Sequence, residues 1–222
     1  METVRQYPIE EVTTIQIKSA LSQINVVTGA GKDIVLKWTD TQRRKTEVVL
    51  ENGTLTVKDH AQAALYGIVG LIWLKEDKEL TLELPTDFSG TVFLESKDEC
   101  IRIVGLRCLC LLYAKSLVGV IDVSAAEFNQ GEFTSQGGNI ELHSVICQQS
   151  ISATTVTGDI ECSCPESAEN YLLDCSSEHG RCSLPAFLGQ GPKRLRMRSK
   201  TGSIAVNFHE LNERQSGGFN HV

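Results

Sequence analysis

The sequence predicts an all-β protein wound as a single-stranded β-solenoid of the β-helix or β-roll kind, with coils of about 20 residues and an N-terminal β cap. Three observations predict it. A short phrase, Gly-x-Ile-x-Val in its fullest form, returns every 19 to 22 residues at Gly119, Gly138, Gly158, Gly180 and Gly202. Around each copy apolar residues sit two apart, as strands with one buried face require. A hydroxyl residue stands three places before each of these glycines, at Ser116, Ser135, Thr155, Ser177 and Ser199.

The copies agree beyond the phrase. Seven places before the glycine stand Leu112, Gly131, Ile151, Leu173 and Leu195, and five before it Ala114, Phe133, Ala153, Cys175 and Met197. Two and four places after it come Ile121, Ile140, Ile160, Cys182 and Ile204, then Val123, Leu142, Cys162, Leu184 and Val206. An earlier copy, Val92, Leu94, Ser96, Ile101 and Ile103, fits the same frame with Glu99 in place of the glycine. These columns read as inward, and the residues between them are mixed and polar. The hydroxyl column shares the inward parity, so its oxygens need partners in neighbouring coils or in the turn backbone. The glycine then supplies either a special backbone conformation or a close approach between coils.

Two short strands and two turns in about 20 residues return the chain one layer up, at a strand spacing of about 4.8 Å, so six coils from Val92 to Val206 make a rod of about 25 Å. Four inward apolar side chains per coil, each worth about 1.5 to 3 kcal/mol when buried, give the stack its core. The same alternation also permits an antiparallel sandwich or meander, which is the alternative architecture.

Before the repeats, Ile15, Ile17, Ser19, Ser22, Ile24 and Val26 follow the same order of positions and predict a first coil at Thr14 to Val27. Ile34 to Trp38 reads as a strand. Glu47 to Leu50 and Thr54 to Val57 flank Asn52-Gly53, a strong hairpin signal. Between Asp59 and Lys78 the run Leu65 to Leu74 is apolar but only about half as long as a bilayer span. It is expected either to pack on the flank of the stack or to meet a partner or membrane surface through Leu71, Ile72 and Trp73. The expected organisation is a cap at 1–78, repeats at 79–209 continuous with it, and a loose tail at 210–222.

The 222 residues carry a net charge of -7, which argues against nucleic acid as the main partner. The first residues, Met1 to Pro8, lack the apolar stretch of a secretory signal, so a cytoplasmic protein is expected, with the cell surface or envelope as the alternative. Eight cysteines are present without any Cys-x-x-Cys pair. Several fall in inward columns and read as small core hydrophobes in the reduced state. Cys175, His179 and Cys182 form the one mixed cluster, which is a weak zinc candidate.

No nucleophile motif, phosphate loop or dinucleotide fingerprint occurs, so no cofactor, no metal and no enzymatic activity are expected. Asp122, Glu141 and Glu161 share an outward column on successive coils, with Asp159 close by. They read as a solvated stripe that a cation could bridge. Lys193, Arg194, Arg196, Arg198 and Lys200 crowd the last repeat, where Arg196 and Arg198 face outward as a salt-bridged strand guarding an open end or as a contact for an anionic ligand.

Glu79-Leu80-Thr81-Leu82-Glu83-Leu84-Pro85, then Gly90 to Ser96, then the Thr157-Gly158-Asp159-Ile160-Glu161 type of coil resemble the bacterial "putative adhesin" domain family, whose function is unknown. The resemblance runs from about Ile15 to Phe208. It implies the repeated-coil fold and an envelope or surface setting, and it brings no catalytic residue with it. Glu99-Cys100 departs from the family's Gly-Asp, as do the apolar run before Lys78 and the signal-free start. The expected function is therefore a non-enzymatic, adhesin-like or envelope-associated binding or scaffold module. Its partner would be a protein, a glycan or an envelope component, and homo-oligomers could form through the solenoid ends or the apolar run. The alternative is a cytosolic self-assembling scaffold.

Overall fold

Strand after strand of the chain crosses from one sheet to another and back. The computed structural model describes residues 2–20, 22–40, 44–61, 79–184 and 187–208. The strands are β1 (Glu2–Tyr7), β2 (Thr14–Ser19), β3 (Gln23–Thr28), β4 (Ile34–Thr39), β5 (Arg44–Glu51), β6 (Thr54–Ala61), β7 (Glu79–Leu84), β8 (Thr91–Ser96), β9 (Ile101–Val104) and β10 (Leu111–Ser116). They continue with β11 (Ile121–Ser124), β12 (Glu127–Ser135), β13 (Ile140–His143), β14 (Ile146–Thr155), β15 (Ile160–Cys164), β16 (Tyr171–Ser177), β17 (Phe187–Leu188), β18 (Lys193–Ser199) and β19 (Ile204–Phe208). A nine-stranded sheet runs β1-β4-β7-β3-β9-β11-β13-β15-β19, and a ten-stranded sheet runs β17-β16-β18-β14-β12-β10-β8-β2-β6-β5. The repeat strands pair in parallel, which sets aside the antiparallel sandwich.

The registers reproduce the sequence columns. Val92, Leu112, Gly131, Ile151 and Leu195 lie side by side, as do Ile101, Ile121, Ile140, Ile160 and Ile204. One continuous hydrophobic core between the sheets runs from Val12 to Phe208. Large and small side chains alternate along it: Phe133 is flanked in register by Ala114 and Ala153. A Cβ on Gly131 would lie 2.7 Å from both Phe128 and Phe133, so this glycine makes room for that edge-on ring pair.

Three of the corner hydroxyls, Thr155, Ser177 and Ser199, find the partners that burial demands, while Ser116 Oγ is buried without one among the described residues. Thr155 Oγ1 accepts from Gly158 N at 3.1 Å and donates to Gly138 O at 3.3 Å. Ser199 does the same between Gly202 N (2.8 Å) and Gly158 O (3.2 Å), and Ser177 between Gly180 N (2.8 Å) and Gly202 O (2.7 Å). Each of these three hydroxyls thus closes its own turn and ties it to the neighbouring coil. The glycines serve close approach. A Cβ on Gly138 would stand 2.1 Å from Gly119 O, and one on Gly158 2.1 Å from Gly138 O. In the hairpin between β5 and β6, Asn52 (φ 49°) and Gly53 (φ 75°) both take the left-handed conformation that a type I′ turn needs.

The stacking order departs from chain order at both ends. β18 lies between β14 and β16, and β6 and β7 lie outside β2 and β3. The basic strand β18 is therefore interior to its sheet, and the expectation that it guards an open end is corrected. Completeness of the strands accounts for the swap. β19 offers β15 a full five-residue partner, whereas the 180–184 copy contributes one isolated bridge, Cys182 to Ile204. A layer with one complete strand can end a stack but not continue it. At the other end Asp59 takes the hydroxyl position of its coil, accepting from Ser19 Oγ (2.7 Å), Ser22 Oγ (3.0 Å) and Ala20 N (2.6 Å). Beyond it β4, β5 and β1 close the end with antiparallel pairs.

Candidate ligand-binding face

Strand alternation turns Ile17, Leu94 and Ala114 inward and so sends the residues on either side of them out of the ten-stranded sheet. Two outward columns result across β2, β8, β10 and β12. One is Gln16, Phe93, Tyr113 and Glu132, and the other Lys18, Glu95, Lys115 and Thr134. Between them runs a groove of about 490 Å³ whose floor is the backbone of the inward residues. Phe93 is 41% exposed, and its ring stacks on Tyr113 with centroids 4.8 Å apart and planes 16° apart. That separation equals the spacing of adjacent strands, so the rings lie in register along the rod. On the opposite wall Lys18 Nζ pairs with Glu95 Oε2 at 2.9 Å, and Lys115 is exposed. Aromatic carbon faces hydrogen-bonding side chains across a shallow channel, the composition of a small-ligand site.

The other candidate residues are engaged differently. Asp122, Glu141 and Glu161 do share a column of the nine-stranded sheet. Arg102 Nε reaches Asp122 at 3.3 Å and Ser124 Oγ donates to Asp122 at 2.9 Å, so the first carboxylate of the stripe already has partners. Asp159 Oδ1 accepts from Ser203 N at 2.7 Å, just as Asn139 Oδ1 accepts from Asp159 N at 3.0 Å, which makes Asp159 a rung between coils. Among the described residues no group of His, Cys, Asp or Glu side chains is placed to hold a metal ion, and His179 is exposed while Cys175 is buried. Arg198 grips Asp174 (2.6 and 2.7 Å) and Ser176, and Arg196 lies 3.7 Å from the same carboxylate. The basic strand is thus salt-bridged to β16. Leu71, Ile72 and Trp73 lie outside the described residues, as does the tail from residue 209.

All eight cysteines are free. Burial pushes the Cys147 and Cys175 thiols up to about 12. Cys162 and Cys164 approach to 3.9 Å, and the contact with Cys164, together with burial, raises the Cys162 thiol. Near them the buried Tyr171 hydroxyl donates to Glu166, whose other oxygen accepts from Lys193 at 2.6 Å. Burial raises the Tyr171 hydroxyl, helped by Cys164 and Glu166.

Sequence reasoning missed Phe93 and Tyr113, although a signal was present. Both stand six places before the glycine position, in a column passed over as merely outward. Reading that column strand by strand puts the two rings side by side.

Residues 112–213 match the family model Toastrack DUF4097. Among solved structures, a putative cell adhesion protein from Clostridium sporogenes superposes with a TM-score of 0.53 at 9% identity, covering 94% of this chain and 99% of that one. A putative adhesin from Bacteroides fragilis gives 0.49 at 16% identity, covering 94% and 97%. At these identities the first likeness speaks for the fold alone. No curated protein matches the chain. Among the described residues no helix is long and apolar enough to cross a membrane.

Proposed function

We propose, on the premise that residues 112–213 are a Toastrack DUF4097 domain, that the protein is a non-enzymatic binding module of adhesin type, with the Phe93 and Tyr113 face of its ten-stranded sheet as the ligand surface. The observation that carries this reading is the stacked, solvent-facing ring pair beside a groove. Large aromatic surface left in water is more often a contact site than a structural need, because the core beneath is already complete. The fold shared with a structure named for cell adhesion supports an envelope or surface component as the partner. Of the carboxylates in the stripe, Asp122 acts here as a salt-bridge partner and Asp159 as a backbone acceptor. The coils, on this reading, are a rigid ruler that repeats outward side chains at the strand spacing.

Retention of the purified protein on isolated envelope material from the cells that make it tests the proposal. The wild type is expected to bind saturably and the Phe93→Ala/Tyr113→Ala variant to lose that binding while keeping its circular dichroism. Equal retention of the two, or no saturable binding by either, contradicts it.

A further inference from the structure

We infer that the groove takes a neutral glycan, with a pyranose ring against Phe93 and Tyr113 and its hydroxyls on Lys18, Glu95 and Lys115; this rests on the reading of that face as the binding surface. The charges select for neutrality. Two ammonium groups, Lys18 and Lys115, and two carboxylates, Glu95 and Glu132, line the channel, so neither an anion nor a cation gains net attraction. What remains is a row of alternating donors and acceptors opposite two carbon-rich rings. A pyranose matches that pattern, with apolar C–H surface on its ring face and hydroxyls, each able to donate and accept, around its rim.

The backbone disfavours a peptide. The ladders β2-β8, β8-β10 and β10-β12 already consume the N–H and C=O groups of the groove floor, and an extended peptide gains its affinity by adding to an open sheet edge. A lipid surface is disfavoured too, because the apolar area here is two rings and the half-buried Leu111 among otherwise polar outward residues and not a continuous patch. The channel spans four strands, about 14 Å at the sheet spacing, which suits an oligosaccharide better than a single sugar.

Calorimetric titration of the full chain with cellohexaose, chitohexaose and mannohexaose tests the inference. At least one hexasaccharide is expected to bind, with an affinity that holds at high salt because no net charge is involved. Phe93→Ala should weaken it about tenfold or more. Lys115→Ala, a surface change that leaves the core intact, should also weaken it. If no hexasaccharide binds while retention on envelope material still depends on Phe93, the glycan assignment is overturned and the binding face stands. If a hexasaccharide binds equally well to the wild type, Phe93→Ala and Lys115→Ala, both the assignment and the face are overturned.

Discussion

Gly138 and Gly31 show how differently two glycines can matter. An added Cβ at Gly138 would meet the carbonyl of Gly119, a backbone atom that cannot step aside without separating the coils, while at Gly31 it would meet nothing closer than 3.9 Å. Gly138→Ala is therefore expected to cost about 1–3 kcal/mol or more and Gly31→Ala close to nothing, read as shifts in the urea midpoint. Ser199→Ala should cost about 1–3 kcal/mol, because it leaves Gly202 N–H and Gly158 C=O without their partner inside the stack. A midpoint unchanged in Ser199→Ala would show that the corner hydroxyl is dispensable. The thiols set the pH response. Cys147 and Cys175 titrate near 12 when folded, against about 8.5 for a thiol in an unfolded chain, so the unfolded chain releases those protons first. Their contribution to stability is then level below about pH 8.5 and falls as the pH rises toward 12, with the raised Tyr171 acting in the same direction. Chemical denaturation at pH 7, 9 and 10.5 checks this, and a flat profile contradicts it.

At the scale of the elements, the inward columns and the hydroxyl corner were legible because side-chain parity within a strand and a fixed repeat length are both one-dimensional signals. The hairpin at Asn52-Gly53 was legible for the same reason. The order of the layers was not. Whether β18 or β16 sits on β14 depends on which copy carries a complete second strand, and that is a comparison between distant segments that parity cannot make. The role of Asp159 was hidden likewise, since its partner, the Ser203 amide, comes from the layer that the swap brings beside it. Breaking the link between β16 and β18 tests this order. Asp174→Ala frees Arg196 and Arg198 at a partly exposed site, so the loss should be no more than about 1 kcal/mol. The larger effect should appear in faster amide hydrogen exchange confined to β16 and β17, the end layer, with β14 unchanged. Exchange accelerated equally in β14 would contradict the order of layers.

For the whole molecule, the winding separates two tasks. The interior is held by columns that tolerate little change, and the outward columns are free to vary from coil to coil because outward residues meet near neighbours on their own or an adjacent strand rather than the packed core. A binding face can thus be written on a few adjacent strands without disturbing the stack. The most direct test is an amide chemical-shift map of the isotopically labelled protein titrated with solubilised envelope material. The account predicts perturbations confined to β2, β8, β10 and β12 around Phe93 and Tyr113. Perturbations gathered instead at Asp122 and Glu141 on the other sheet, or at Arg196, would contradict it.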